Sequence, residues 1–175
     1  MRLVAVAASV ALGLTPLTTA GRARAFERQW HLGGGAGVSG GSGLSLSPAF
    51  GLYAAYGLSD VFDARLEVTA RGYHLGSEQD PNALSAMVGL TYKLDVLSWV
   101  PWAGVYAGYQ GFDQAPREGL PFEQHAAALG MGLGLDYGWS RSFGLGITLR
   151  SDDALSDAGA ASFDALLRAE YRWGW

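Results

Sequence analysis

Residues 162–175 read Ser162-Phe163-Asp164-Ala165-Leu166-Leu167-Arg168-Ala169-Glu170-Tyr171-Arg172-Trp173-Gly174-Trp175. Phe163, Ala165, Leu167, Ala169, Tyr171, Trp173 and Trp175 alternate with Ser162, Asp164, Leu166, Arg168, Glu170, Arg172 and Gly174. A period of two is a strand with two unlike faces. One face here is apolar and the other is almost wholly polar or small.

Working back toward the N-terminus, the same pattern recurs seven more times, for example in Phe62, Ala64, Leu66, Val68 and Ala70 against Asp63, Arg65, Glu67, Thr69 and Arg71. Nowhere after Phe26 does a helical apolar stripe stand out. The spacing predicts short links around residues 59–60, 96–99 and 138–142, and longer ones over 39–47, 74–82, 111–121 and 151–160. Eight strands joined by alternating short and long links predict an all-β fold, an eight-stranded antiparallel up-and-down transmembrane β-barrel.

An aqueous barrel would carry its polar face outside. Here that face holds Gly33, Gly35 and Gly37, then Gly130, Gly132 and Gly134. Rows of glycine belong where side chains crowd, and an eight-stranded lumen is just wide enough for side chains to fill. The polar face therefore points inward, leaving space opposite the glycines for Tyr53, Met87, Tyr106 and the arginines. It brings Asp63, Arg65, Glu67, Arg71, Lys93, Asp95, Asp136, Arg150, Asp164, Arg168, Glu170 and Arg172 into the lumen. Unpaired charges there would each cost several kcal/mol, on the order of the desolvation penalty of a buried ion, so a paired network is expected. Trp30, Tyr56, Phe62, Tyr92, Trp99, Trp102, Tyr137, Trp139, Phe143 and Trp173 gather near the short links as one interfacial girdle, with Phe50, Tyr109, Phe122 and Phe163 as a sparser second.

The 175 residues, 16% of them charged and none cysteine, fit one domain without disulfides or thiolate metal sites. The 12 Lys and Arg form no run, so no nucleic-acid partner is expected. Arg2, an apolar run over residues 3–14 and Ala23-Arg24-Ala25 read as a secretory signal over residues 1–25, with Ala20 a second cleavage position. The barrel domain then occupies residues 26–175, with 9 basic and 16 acidic groups.

These features resemble the small eight-stranded outer-membrane barrels of Gram-negative bacteria, the group of the OmpA transmembrane domain, OmpX and OmpW-like proteins. The ending Tyr171-Arg172-Trp173-Gly174-Trp175 is similar to that group's C-terminal insertion signal, with Tyr171, Trp173 and Trp175 as its aromatic positions. Tyr56 to Glu67 resembles a hairpin common in these barrels, and Val100-Pro101-Trp102-Ala103-Gly104-Val105 the opening of their fifth strand. The resemblance implies export, assembly by the barrel-insertion machinery, and residence in the outer membrane among its lipid and lipopolysaccharide. It implies no single activity, and an end at Trp175 leaves no room for a peptidoglycan-binding domain.

Catalytic chemistry is not expected. Gly35-Ala36-Gly37-Val38-Ser39-Gly40 fits a dinucleotide fingerprint, and Gly37-Val38-Ser39-Gly40-Gly41 fits a hydrolase elbow. Both need a helix to follow, which Gly41-Ser42-Gly43 denies, so the stretch reads as a flexible first surface loop. His74, Ser77 and His125 lie near the long-link rim without the outward histidine and serine two residues apart that marks lipid A deacylases. Glu78, Asp80, Asp113, Glu118, Glu123, Asp152, Asp153 and Asp157 face Arg117 alone in the long links, a solvated acidic rim with no calcium-ligand spacing. No cofactor or metal is expected. The sequence therefore predicts a structural or surface-interaction protein, with a passive conduit for small hydrophobic molecules as the alternative and a lipid A-modifying enzyme third; the surface partner stays open.

Overall fold

The computed structural model describes residues 28–41, 44–72, 82–94, 98–112, 125–155 and 161–174. They form eight strands in chain order: β1 (Trp30–Gly41), β2 (Leu44–Gly57), β3 (Phe62–Gly72), β4 (Asn82–Lys93), β5 (Trp99–Phe112), β6 (His125–Gly138), β7 (Phe143–Ala154) and β8 (Ala161–Trp173). Each pairs antiparallel with its sequence neighbours, and β1 pairs with β8 to close the barrel. Closure leaves no edge, as a bilayer requires, since an unpaired backbone group in hydrocarbon costs several kcal/mol, of the order given for unsatisfied buried groups. The strands run 11 to 14 residues, longer than the roughly 9–11 that a tilted strand needs to cross.

The alternation resolves as an inside-out barrel. Leu52, Leu66, Val88, Val105, Met131, Ile147 and Leu167 point outward and are exposed, whereas Asp63, Arg65, Thr69, Arg71, Asp164 and Arg168 are buried in the lumen. In water that arrangement would expose most of the large apolar side chains, so the outer surface is one that lipid must cover. Space inside comes from glycine where it is most needed. A Cβ at Gly33 would overlap the Tyr53 ring, and one at Gly134 would overlap the Trp102 indole.

Four cross-strand aromatic pairs stand at the turn end of the barrel. Trp30–Tyr56, Phe62–Tyr92, Trp99–Tyr137 and Phe143–Tyr171 have centroids 4.9, 5.3, 4.9 and 5.1 Å apart and interplanar angles of 52, 56, 53 and 58°. Each pair occupies directly opposed positions on two strands that are joined at the other end of the barrel. Every hairpin is thus clasped at its open end by a Trp or Phe against a Tyr. Two of the intervening turns share one device. Ser59 Oγ accepts from the Phe62 amide at 3.1 Å, and Ser140 Oγ accepts from the Phe143 amide at 3.1 Å.

The structure corrects four expectations. Residues 39–47 are not a long link: pairing continues to Gly41–Leu44, with a register shift between Ser39 and Gly41. Ser39 to Gly41, read as the start of a flexible loop, are strand in β1, and Ser39 is buried in the lumen. The seventh strand runs on to Ala154, which removes Asp152 and Asp153 from the acidic loops. Trp102 belongs to the lumen and not to the girdle, being 4% exposed. Glycine and polar outward residues hid these strand ends, because they erase the apolar half of the alternation.

Two outcomes follow from this architecture. Val88→Arg, in the middle of β4 on the lipid face, should destabilise the barrel by about 2–4 kcal/mol, read from urea titration of the heat-shiftable gel band in lipid vesicles. A double-mutant cycle on Phe62 and Tyr92 should return a coupling of about 0.5–1.5 kcal/mol; a value near zero would show that the clasp is only proximity.

Candidate functional site: the charged lumen

Every strand turns alternate residues into the lumen, so the charges of β3, β4, β6, β7 and β8 meet in one narrow space. Arg65, Arg71, Lys93, Arg150, Arg168 and Arg172 are buried there with Asp63, Glu67, Asp136, Asp152, Asp164 and Glu170. Six bases face six acids among the described residues. They sort into two levels along the barrel axis.

At the loop end, Arg71 of β3 donates through Nε to Asp164 Oδ1 at 2.8 Å and through Nη2 to Asp164 Oδ2 at 2.5 Å. The same Nη2 also reaches Asp152 Oδ2. Arg150 of β7 grips Asp152 with Nε to Oδ1 at 2.7 Å and Nη2 to Oδ2 at 2.6 Å. Its Nη1 lies 3.0 Å from Glu67 Oε1 on β3. Ser85 Oγ of β4 accepts from both arginines, at 3.3 and 3.2 Å. The bidentate Arg71–Asp164 pair ties β3 to β8, and the Arg71–Asp152 and Arg150–Glu67 contacts tie β3 to β7, while the bidentate Arg150–Asp152 pair lies within β7. Bidentate geometry is the one in which such pairs are strongest.

At the turn end, Glu170 of β8 collects three partners. Tyr53 OH donates to Oε2 at 2.6 Å, Arg172 Nε donates to Oε1 at 2.5 Å, and His31 Nδ1 lies 3.1 Å from Oε1. Arg168 Nη2 donates to Asp136 Oδ1 at 2.5 Å, Lys93 pairs with Asp63, and Arg65 Nε lies 3.1 Å from Glu67 Oε2. Glu67 joins the two levels through Arg150 and Arg65, and Met87, Tyr106 and Ala128 form a small buried apolar cluster in the lumen.

Eleven of the twelve charges expected in the lumen lie in it; Asp95 is outside the described residues. Asp152 was missed, although it keeps the parity of Thr148 and Arg150 along β7 and that signal was available. His31 and Tyr53 also carry inward parity, and only their convergence on Glu170 reveals what they do. Of the insertion-signal positions, Tyr171 and Trp173 face outward and stack at 5.8 Å, and Trp175 is outside the described residues. His125 is exposed at the start of β6 and stacks on Tyr109 at 5.8 Å. His74, Ser77 and the acids Glu78, Asp80, Asp113, Glu118, Glu123 and Asp157 lie outside the described residues, as does the expected signal segment. No cluster of potential metal ligands occurs among the described residues.

No family model matches this chain, and no curated protein does. Solved structures do. Neisserial surface protein A superposes with a TM-score of 0.64 at 16% identity, covering 83% of this chain and 97% of that one. The N-terminal β-barrel domain of Pseudomonas aeruginosa OprF superposes at 0.60 with 16% identity, covering 84% and 98%. Ail, the attachment invasion locus protein of Yersinia pestis, superposes at 0.55 with 16% identity, covering 85% and 100%. With its closed eight-stranded ladder and inside-out faces, the chain has the fold of the small eight-stranded outer-membrane β-barrels.

Proposed function

We propose that this is an exported, integral outer-membrane protein of structural or surface-contact type, whose barrel is an anchor closed to solutes. The observation that carries the reading is the loop-end set of Arg71, Asp164, Asp152 and Arg150, which spans the lumen from β3 to β7 and β8. A transport path would have to break it, and removing one partner from a buried ion pair costs about 3–5 kcal/mol. The buried cluster of Met87, Tyr106 and Ala128 also occupies lumen space. A passive conduit for small hydrophobic molecules, the alternative, would have to lead its solute past both charged levels. A lipid A-modifying enzyme would need a histidine and a nucleophile converging at the rim; of His74, Ser77 and His125, His125 is among the described residues, and it stacks on Tyr109.

The proposed surroundings are outer-membrane lipid and lipopolysaccharide against the apolar belt, with the barrel-insertion machinery reading Tyr171, Trp173 and Trp175 during assembly. Surface contact would fall to the loops above the strands. The similarity to Ail, the attachment invasion locus protein, supports such a role for a barrel of this size.

The refolded protein, once a heat-shifted gel band confirms the barrel, should give no steady conductance steps in a planar bilayer. Steady steps in the folded protein would overturn the closed-anchor reading and favour the conduit. Asp164→Asn should lower stability in urea titration by about 3–5 kcal/mol, because Arg71 loses its bidentate partner. An unchanged midpoint would show that the loop-end set does not hold the lumen shut.

A further inference from the structure

One cross-section of the lumen is built from two cations and two rings in alternation. Arg65 of β3 places its guanidinium carbon 3.7 Å from the Tyr53 ring centroid and 4.9 Å from that of Trp102. Arg168 of β8 places its own 4.9 Å from Tyr53 and 4.7 Å from Trp102. Both guanidiniums are thus held against the same two rings, and each is 5% exposed. Cation–π attraction offsets part of the repulsion between them.

Hydrogen bonding in the lumen is incomplete, with acceptors at Glu67 Oε2, Asp63 and the Tyr106 hydroxyl lacking a hydrogen bond, as well as donors at this cross-section. Arg65 Nη2, Arg168 Nε and Arg168 Nη1 have no acceptor, and neither has the Trp102 indole N–H. These groups donate and never accept, so they cannot satisfy one another. Each guanidinium has one carboxylate partner. Glu67 divides its oxygens between Arg65 Nε and Arg150 Nη1, and Asp136 meets Arg168 through Nη2. A buried donor left without an acceptor costs free energy, more so when it is charged.

We propose that the space between the Arg65 and Arg168 guanidiniums is a binding site for a small monovalent anion of halide size. Such an ion accepts from several N–H groups at once, and it faces two cations where water offers little screening. The proposal does not depend on the closed-anchor reading, because it concerns what the lumen holds and not what crosses it.

The test is chloride-35 line broadening on the refolded full chain in non-ionic detergent, with bromide as competitor and sodium gluconate holding the ionic strength. Broadening should saturate with chloride, fall on adding bromide, and survive Arg71→Lys at the other level. Arg65→Lys and Arg168→Lys keep the charge but remove donors, and each should weaken binding at least about tenfold. No saturable broadening, or equal broadening in the wild type and both lysine variants, would overturn the site. Should the lysine variants lack a heat-shifted band, wild-type crystals soaked in bromide decide instead. An anomalous peak between the two guanidinium carbons supports the site, and water density there without such a peak sinks it.

Discussion

An eight-stranded barrel closed on itself has a lumen only wide enough for side chains, and everything else in this molecule follows from that confinement. The backbone must close because hydrocarbon offers no hydrogen bonds. Once it has closed, half of every strand faces a space that excludes bulk water. A charge placed there needs a partner within reach, and reach is set by which strands stand opposite. Arg71 on β3 meets Asp164 on β8 and Asp152 on β7, and Arg150 on β7 meets Glu67 on β3, because these strands face one another across the barrel. Several of the pairs that neutralise the lumen are therefore also its cross-braces.

The two charged levels differ in character. The loop-end level is saturated: each arginine has a bidentate carboxylate, and Ser85 serves both. The turn-end level mixes ion pairs with aromatic stacking, and Tyr53 takes part in both, donating to Glu170 while lying against Arg65 and Arg168. Bulky rings fit there only because Gly33 and Gly134 stand opposite them. Glycine, which weakens an isolated strand, here permits the packing that holds the strands together. Outside, the four aromatic clasps do for the hairpin ends what the arginines do for the interior.

The comparison with known proteins agrees with this division of labour. At 16% identity the barrel is retained while little of its sequence is. Closure asks only for alternation, and alternation is satisfied by many sequences.

Fold and facing were legible in the sequence, because period two and the placement of glycine are local properties and lipid demands the apolar face. The strand count, the inward parity of Arg65, Arg71, Arg168 and Glu170, and the outward girdle all follow from that local pattern. Strand ends at Gly41 and Ala154 were not legible, since glycine and outward polar residues leave no contrast to read, and Asp152 was lost with them. Nor could the sequence pair its charges. Arg71 and Asp164 are 93 residues apart, and Tyr53 and Glu170 are 117 apart. Which acid answers which base depends on register and on distance across the lumen, and these exist only after β1 has met β8.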